Sequence, residues 1–337
     1  MKRPTIADIA ARVGISKVAV SYALNGRQGV SSATREKVLT AAAELGWTAN
    51  AAARTLSGAK AQTVGLAVAR PASTLGVESF FMRFIGGIEA VLSQHSVGLL
   101  LQVVPDHRAE TTAVRRWWGG RRVDGVIVVD LFDEDDRLDN LRAMGVPFVV
   151  VGDARDHPAV TCVWSDEISG MRQVMDYLAA LGHRRIARVS GVAAFRHTAQ
   201  RTAEFHAGAE RLALEAVTLQ ADFTGKDSAQ ATRHLLTRPE PPTAIIYDND
   251  VMAVAGLGVA AEMHVSVPGR LSVVSWDDSA LCQLTHPAIT SLTRDVGACG
   301  ADAASRLLQV IDGAPPGAFE EPPHRLTVRA STAPVRR

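Results

Sequence analysis

Residues 5–26 read Thr5-Ile-Ala-Asp-Ile-Ala-Ala-Arg-Val-Gly14-Ile-Ser-Lys-Val-Ala-Val-Ser-Tyr-Ala-Leu-Asn-Gly26, and this stretch decides the fold of the first part of the chain. Thr5 is a candidate helix N-cap with an acid, Asp8, three residues later, which is close to a capping box. Apolar residues then follow helical spacing as far as Gly14, a residue type that ends helices. Ser16 is placed to cap a second helix, which the Asn-Gly pair breaks.

A third helix is predicted to follow these two. Ser31 or Ser32 can cap it, and Gly46 ends it. Its inner stripe consists of apolar residues at helical spacing, namely Val38, Ala41, Ala42 and Leu45. Two short helices around a glycine, with a third helix beneath them, form a helix-turn-helix unit. In such units the second helix lies in the major groove of DNA and its first turns face the base edges.

Charge is distributed unevenly along the chain. Residues 1–60 carry nine lysines and arginines against three acids, a balance of +6, whereas the remaining 277 residues carry 27 against 32, a balance of −5. A basic head on a mildly acidic body indicates that the head meets a polyanion. On charge alone, an incidental contribution to solubility explains the balance equally well.

Length and composition exclude several classes of protein. A chain of 337 residues is expected to form two or three domains, and 47% hydrophobic residues exclude disorder over most of its length. No apolar run is long enough for a membrane-spanning helix, and no signal peptide is visible, so a cytoplasmic protein is expected. Three scattered cysteines (Cys162, Cys282 and Cys299) argue against a disulfide framework or a cysteine-built zinc site.

The N-terminal motifs resemble the headpiece of the lactose-repressor-like (LacI/GalR) family of bacterial transcription regulators. The matching segments are Thr5-Ile-Ala-Asp-Ile-Ala, Gly14-Ile-Ser-Lys-Val-Ala-Val-Ser21, Leu24-Asn25-Gly26, Val30-Ser31, Thr34-Arg35-Glu-Lys-Val38, Ala43-Glu-Leu-Gly-Trp47, Asn50, Ala53-Arg54 and Leu56. The resemblance implies a helix-turn-helix headpiece over 1–48, a hinge helix or linker over 49–60, and an effector-binding and dimerisation domain over 61–333. It also implies a nucleoid-associated, ligand-responsive regulator, most often a repressor.

The resemblance assigns two kinds of role within the headpiece. Lys17, Val18 and Tyr22 match the base-reading positions, although core packing is the alternative for Val18 and Tyr22. The remaining matches are expected to contact phosphates or to cap helices: Thr5, Ser16, Ser21, Asn25, Ser31, Thr34 and Arg35. Many relatives carry Thr at the position of Ala19 and Arg at that of Tyr22, so the operator sequence cannot be copied from them.

The hinge segment, Asn50-Ala-Ala-Ala-Arg-Thr-Leu-Ser-Gly58, spans about two helical turns, too short to be stable alone in water. In the family this segment folds when two copies pair over DNA. Leu56 matches the leucine that wedges into the minor groove, Ala53 permits the close approach, and Asn50 and Arg54 are further DNA-binding candidates. The alternative is a simple linker.

Beyond residue 62, short apolar runs alternate with amphipathic stretches, which predicts parallel sheets with crossover helices. The predicted buried strands are Val64–Val68, Gly98–Val104, Gly125–Val129, Phe148–Val151, Ile186–Val189, Ala244–Tyr247 and Leu271–Ser275. The predicted fold is therefore an all-α helix-turn-helix headpiece plus an α/β body of two doubly wound, parallel-sheet subdomains, like a periplasmic binding protein. The expected subdomains are approximately 61–162 plus 292–320 and 163–291 plus 321–333.

Ligands of open α/β sheets bind at the carboxyl ends of strands. Asp277, Arg201 and Asn249 match polar ligand-binding positions of the family, and Trp164 and Phe223 are candidate aromatic walls. The alternatives are a turn or cap role for Asp277 and core packing for the two aromatic residues. This set suits a small hydroxylated effector, such as a sugar or a related polyol or nucleoside, bound by a homodimer on a pseudo-palindromic DNA operator. The C-terminal tail contains no leucine heptads, so no tetramer-forming helix is expected.

Two other classes of protein compete with this interpretation. Gly256-Leu-Gly258-Val-Ala-Ala261 satisfies a dinucleotide-binding pattern, but eight residues separate it from the preceding strand, which places the glycines inside a helix. A solute receptor is the other alternative, and the basic head argues against it. Common hydrolase, metalloprotease and phosphate-binding motifs are absent, so neither a catalytic site, a metal site nor a cofactor is expected.

Overall fold

The computed structural model describes residues 4–47, 60–70, 76 and 78–335. The chain divides into two compact units, Met1–Ala61 and Gln62–Arg337.

The first unit contains helices α1 (Ile6–Val13), α2 (Lys17–Leu24) and α3 (Ser32–Glu44). The Asp8 carboxylate accepts hydrogen bonds from the backbone N–H and the hydroxyl of Thr5, both at 2.7 Å, which completes the predicted capping box. Gly14 ends α1 in the left-handed region with φ 75°. Ser16 and Ser31 cap α2 and α3 by accepting from backbone N–H groups three residues ahead.

The three helices bury a small shared core. Ile9, Val20 and Val38 are fully buried, one from each helix, and four alanines fill the spaces between them: Ala10, Ala23, Ala41 and Ala42. Alanine at these positions lets the helices approach closely, which suits a unit with so few large side chains. Packing, rather than helix propensity, therefore holds these short helices together.

The second unit is α/β. Its strands are β1 (Thr63–Ala69), β2 (Gly98–Val104), β3 (Gly125–Val128), β4 (Phe148–Val151), β5 (Thr161–Trp164), β6 (Arg185–Ser190), β7 (Glu215–Gln220), β8 (Ala244–Tyr247), β9 (Ser272–Ser275), β10 (Thr290–Thr293), β11 (Ala318–Glu320) and β12 (Arg325–Thr327). Its helices are α4 (Ser79–Leu92), α5 (His107–Gly119), α6 (Asp136–Ala143), α7 (Glu167–Ala180), α8 (Arg196–Leu212), α9 (Gly225–Leu236), α10 (Asp250–Glu262), α11 (Ala280–Leu284) and α12 (Val296–Ile311), with a 3₁₀ turn at Ser93–His95.

The strands form two six-stranded sheets, in the orders β11-β5-β4-β3-β1-β2 and β12-β10-β9-β8-β6-β7. Every pairing is parallel except that of β10 with β12. Each sheet is doubly wound, which confirms the predicted fold class. We call the part built on the first sheet the N-subdomain and the part built on the second the C-subdomain.

The chain passes between the subdomains three times. It leaves the N-subdomain after β5, returns between β10 and α12, and crosses again between β11 and β12. Helix α12 packs against α4 through Gly87 and Gly300, because a Cβ at either position would collide with the backbone of the facing helix. Because the chain crosses directly after β5, β10 and β11, the carboxyl ends of the strands in both sheets face the crossing segments.

The structure also contains strands that the apolar runs did not predict. Strand β7 lies at a sheet edge and is only half-buried, so it has no continuous apolar run. Strands β11 and β12 are three residues long and lie at the opposite edges. Gly256 and Gly258 lie inside α10 as predicted, and a Cβ on Gly256 would collide with the Tyr247 hydroxyl. Gly256 is therefore a packing position, and neither glycine belongs to a dinucleotide-binding turn.

Among the helices in the described ranges, none combines the length and apolar composition that a bilayer span requires.

Candidate nucleic-acid interface and ligand cleft

Helix α2 presents one open face. Val18 is 61% exposed and Tyr22 is 37% exposed, whereas Val20 and Ala23, on the other side of the helix, are buried. Lys17 is exposed at the start of the same helix. The three predicted base-reading side chains therefore share the surface that points away from the core, and core packing does not account for Val18. The Tyr22 ring also contacts the next loop, lying 3.4 Å from where a Cβ of Gly29 would stand.

The predicted phosphate-contacting residues already have local partners. The Asn25 side-chain amide donates to the Ser21 carbonyl at 2.8 Å, and Arg35 donates to the Arg27 carbonyl at 2.9 Å. The Ser31 hydroxyl lies 2.9 Å from that of Thr34. Each of these side chains fixes a helix end or a turn next to α2. Asn50, Ala53, Arg54 and Leu56 lie outside the described residues.

A cleft separates the N-subdomain from the C-subdomain at the carboxyl ends of both sheets. It is partly open to solvent. The N-subdomain contributes residues that follow β1, β3 and β5, and the C-subdomain contributes residues that follow β8 and β9. A cleft at the carboxyl ends of parallel strands is where open α/β folds bind small molecules.

Four of the five predicted effector residues line this cleft together: Arg201, Phe223, Asn249 and Asp277. Trp164 is not among the lining residues. Val163 and Ser165 on either side of it do line the cleft, so the alternation along the extended chain directs Trp164 to the other face. The Arg155 guanidinium lies 3.6 Å from the centroid of a Trp164 ring.

Arg201 is held rigidly from two sides. Its guanidinium forms an ion pair with Glu167 at 2.6 Å and lies 4.1 Å from the centroid of a Trp276 ring. Burial opposes ionisation of Glu167, but the charges of Arg201, His324 and Arg294 together outweigh it and hold the pKa of that carboxyl well below its usual range. Both side chains are about 95% buried, so this pair is a preformed polar wall of the cleft.

Asn249 and Phe223 are linked to each other. The Asn249 side chain caps α10 by accepting from the Met252 N–H at 2.8 Å, and its amide donates to the Phe223 carbonyl at 3.1 Å. Phe223 adopts a positive φ of 68°, and its ring occupies the space beside Gly191 where a Cβ would collide. The cap therefore holds an aromatic wall in place, and the polar atoms of Asn249 are largely committed to this task.

Sequence reasoning missed Arg70 as a cleft residue. Its guanidinium pairs with Asp130 at 2.9 Å and lies 5.0–5.6 Å from the ring centroids of Phe81, Phe195 and Phe223. Arg70 follows β1 directly, so its position at the carboxyl end of a strand was the signal that could have found it. Arg294 has the same position directly after β10, whereas cleft residues without such a signal include Glu78, Glu167 and His197.

A second ion pair lies behind the cleft wall. Arg188 and Asp248 are fully buried and pair at 2.7 Å, and Asp248 also accepts from the Gly191 N–H at 2.8 Å. Asp248 lies at the end of β8, next to Asn249, so the pair fixes the turn that presents Asn249. The Arg188–Asp248 pair therefore positions Asn249, since few of its own polar atoms are free to bind a ligand.

Burial shifts the ionisation of two other cleft residues. It raises the pKa of Asp277 to about 6, and it lowers the pKa of His197 to about 4, with Arg201 contributing to the second shift. His197 is therefore neutral at pH 7 and can donate or accept a hydrogen bond, whereas Asp277 is mostly ionised and can accept hydrogen bonds from hydroxyl groups. Within the described ranges, no group of three His, Cys, Asp or Glu side chains could hold a metal ion.

Several contacts join the two subdomains beside the cleft. The Ser79 hydroxyl donates to Asp250 at 2.6 Å, and Arg83 donates to the Asp278 carbonyl at 2.8 Å. On the other side, Arg196 pairs with Asp156 at 2.6 Å. These contacts are polar and partly exposed, so a change in ligand occupancy can break or form them at low cost.

Two family models match the chain, one in the first unit and one in the second. Residues 5–50 match the model of the bacterial regulatory proteins of the lacI family, and residues 175–332 match that of a periplasmic binding protein-like domain. The HTH-type transcriptional regulator CelR of Thermobifida fusca is 33% identical over 319 residues, which cover 93% of each chain.

Two solved structures resemble nearly the whole chain. A CelR–cellobiose complex is 29% identical with a TM-score of 0.74, covering 98% of this chain and 100% of that one. The lac repressor dimer bound to operator and the anti-inducer ONPF is 27% identical with a TM-score of 0.86, at the same coverage.

Proposed function

Because this chain belongs to the lacI family of bacterial regulatory proteins, we propose that it is a transcriptional repressor controlled by a small hydroxylated effector. Its relatives are transcriptional regulators, so the chain is a regulator and not an enzyme. A sugar is the favoured effector class, since one structural relative is a complex with cellobiose. Two copies would read a pseudo-palindromic operator, as expected from the relative solved as an operator-bound dimer.

The single observation that carries this proposal is the pairing of two features in one chain: an open face on α2 and a preformed polar cleft. Lys17 can donate to guanine and Val18 can contact a thymine methyl. In the cleft, Arg201 supplies fixed donors, Asp277 supplies an acceptor and Phe223 supplies an apolar face. Fixed polar groups beside an aromatic ring suit a molecule with several hydroxyl groups.

Control would follow from a shift between two states of the dimer. An effector that prefers one closure of the subdomains shifts the population toward it by its difference in affinity. The polar contacts beside the cleft, such as Ser79 with Asp250, are the groups that such closure would rearrange. Leu56, in the predicted hinge, would transmit the change to DNA by wedging into the minor groove only when two hinges pair.

The proposal is tested by selecting duplexes from a random pool with the full chain and measuring their affinity over a range of salt concentrations, with and without a panel of sugars. We expect inverted repeats for which the logarithm of the binding constant falls linearly with the logarithm of the salt concentration, and whose binding changes with one sugar class. The Asp277→Ala variant should keep the DNA affinity and lose the response to the sugar. A chain without salt-sensitive preference for any inverted repeat, under all these conditions, would contradict the proposal.

A further inference from the structure

At one place beside the cleft, several contacts join the two subdomains at once. Phe195 and Arg196, where α8 begins, belong to the C-subdomain, and Phe132 lies in the loop after β3 of the N-subdomain. Phe132 and Phe195 form an isolated antiparallel β-bridge, and their ring centroids lie 5.4 Å apart. The main chain and the side chains therefore both link the subdomains at this point.

The start of α8 is capped from the opposite subdomain. Phe195 is the N-cap residue, and its side chain has no oxygen that could accept from the first turn of the helix. The Arg196 N–H, which has no acceptor within its own helix, donates instead to the Leu131 carbonyl at 2.7 Å. The helix that carries Arg201 therefore gains this hydrogen bond only while the two subdomains are together.

The Arg196 side chain extends the same junction. Its guanidinium donates to both carboxylate oxygens of Asp156, at 2.6 Å and 2.9 Å. It also donates to the main-chain carbonyls of Asp153, at 2.8 Å, and Asp133, at 2.9 Å. These acceptors lie in the loops after β3 and β4, so one side chain of the C-subdomain binds two loops of the N-subdomain. The planar fork of an arginine suits several acceptors at once.

Arg70 adds a contact from the N-subdomain. Asp130 fixes its guanidinium at 2.9 Å, and the same group lies 5.0 Å from the ring centroid of Phe195 and 5.3 Å from that of Phe223. A cation at such a distance from an aromatic ring is attracted to it, more strongly where water is excluded, and Arg70 is only 8% exposed. Phe195 is therefore bound by the N-subdomain through its main chain and through its ring.

These contacts lie away from the segments where the chain crosses between the subdomains. The crossings follow β5, β10 and β11, which lie at or next to one edge of each sheet. The contacts instead join the loops after β3 and β4 to the start of α8, which follows β6, next to the opposite edge of its sheet. Crossing segments on one side and breakable contacts on the other are an arrangement suited to hinge closure around a ligand.

We propose that Phe132, Phe195 and Arg196 form a clasp that sets the closure of the two subdomains, with Arg196 as its positioning residue. The inference rests on the proposed function, because closure of this cleft around an effector is what the clasp would control. Arg196 begins the helix that carries Arg201, and Arg70 packs on the same junction, so the clasped state fixes the separation of polar groups on the two walls. An effector that fits this separation favours the clasped state.

Hydrogen exchange of the full chain, read at single residues by mass spectrometry, tests the clasp. The amide of Arg196 is the reporter, because its hydrogen bond crosses between the subdomains, whereas the amides of β8 bond within the C-subdomain and report global unfolding. Arg196→Ala keeps this amide and removes the guanidinium. Exchange at position 196 should then rise about tenfold, as the loss of hydrogen bonds to a charged group predicts.

Arg172→Ala is the matched control. It removes an arginine that donates twice to Glu204 of α8 without crossing the cleft, so exchange at position 196 should stay as in the natural chain. Arg196→Lys should give an intermediate rate, because an ammonium lacks the fork that reaches several acceptors. If Arg196→Ala does not fold, Asp156→Ala removes the partner carboxylate, which is 56% exposed, and should raise the exchange in the same direction.

The inference is overturned if exchange at position 196 is unchanged in Arg196→Ala and Asp156→Ala, or if it rises as much in Arg172→Ala. It is also overturned if the Arg196 amide of the natural chain exchanges as slowly as the amides of β8, because the junction would then open only on global unfolding. The experiment uses neither DNA nor a sugar, so its failure would leave the proposed function intact. Failure of every sugar to change the affinity for a selected inverted repeat would instead count against the proposed function and not against the clasp.

Discussion

The face of α2 and the cleft of the second unit represent opposite ways of building a binding surface. On α2, Val18 and Tyr22 extend from the helix with large exposed fractions, and their neighbours need not move if either is removed. In the cleft, Arg201 and Glu167 are buried and hold each other. Exposed side chains contribute one at a time, whereas buried charges act as a group. Substitutions of buried cleft charges should therefore lower the free energy of unfolding, whereas substitutions on the face of α2 should change DNA binding and leave the stability of the second unit unchanged.

The largest effect is expected from Glu167→Ala. It leaves the Arg201 charge buried without its closest partner, which should lower the free energy of unfolding by about 3–5 kcal/mol. Urea unfolding followed by tryptophan fluorescence measures this, because Trp276 lies against Arg201. The matched control is Asp176→Ala, which breaks an exposed pair with Arg211 and should cost about 0–1 kcal/mol. Equal losses of unfolding free energy in the two variants would contradict the difference between the buried and the exposed ion pair.

The next effect concerns pH and Glu78→Gln. Because the folded-state pKa of Glu78 is about 7 and its ordinary value is 4.5, the folded chain binds this proton more tightly than the unfolded chain. The natural protein should therefore lose stability relative to the variant as the pH rises from about 4.5 through 7. The loss should reach on the order of 3 kcal/mol at pH 8. Unfolding curves at pH 5 and pH 8 check this, and a difference between the two proteins that is independent of pH would contradict it.

A smaller effect, confined to DNA, is expected on the face of α2. Lys17→Ala and Tyr22→Ala should each reduce discrimination between a selected operator and a scrambled duplex by about 1–3 kcal/mol. The unfolding of the second unit should not change, since both side chains are exposed or partly exposed in the first unit. Competition binding measures the discrimination, with Leu39→Ala on the exposed face of α3 as the control. A loss as large in the control would show that α2 has no special role.

The smallest effect compares two glycines of α10. Gly256→Ala forces a Cβ against the Tyr247 hydroxyl and should destabilise by about 1–3 kcal/mol. At Gly258 no atom lies within 4 Å of such a Cβ, so Gly258→Ala should stabilise by about 1 kcal/mol through helix propensity. Thermal unfolding of the two variants distinguishes these signs. Stabilisation by both would mean that Gly256 is not a packing position.

The three helices of the first unit were predicted well from the sequence, because helix caps and stop signals are local. Thr5 with Asp8, Gly14 and Ser16 act within three or four residues of the helix ends that they define.

Most interior strands were predicted for a similar reason, since each is a mostly apolar run covered on both faces. Strands β5 and β10 are interior strands that were not predicted, because Thr161-Cys-Val-Trp164 and Thr290-Ser-Leu-Thr293 have no such run. At the sheet edges the pattern was less reliable. Strand β7 has no apolar run and was not predicted, whereas Gly98–Val104 was predicted as a buried strand but forms the edge strand β2, of which only Val104 is buried.

The cleft could be predicted only in part. Asp277 and Asn249 were proposed because they match ligand-binding positions of the resembled family, and both lie just after strand ends, where open α/β sheets bind ligands. Glu167 became visible only through Arg201, 34 residues away, and Asp248 through Arg188, 60 residues away. Trp164 was placed in the cleft, but it lies on the other face of its extended segment. Ion pairs between residues far apart in the sequence depend on the folded arrangement, so no local sequence pattern predicts them.

The central claim is that occupancy of the cleft and docking of the head on DNA are coupled. Linkage requires that a ligand which changes operator affinity by a given factor has its own affinity changed by operator by the same factor. Calorimetric titration of ligand into the free chain and into the chain saturated with a selected inverted repeat measures this directly. We expect two different ligand affinities, whose ratio equals the factor by which the ligand changes the affinity for DNA. Identical ligand affinities in the presence and absence of DNA would contradict it.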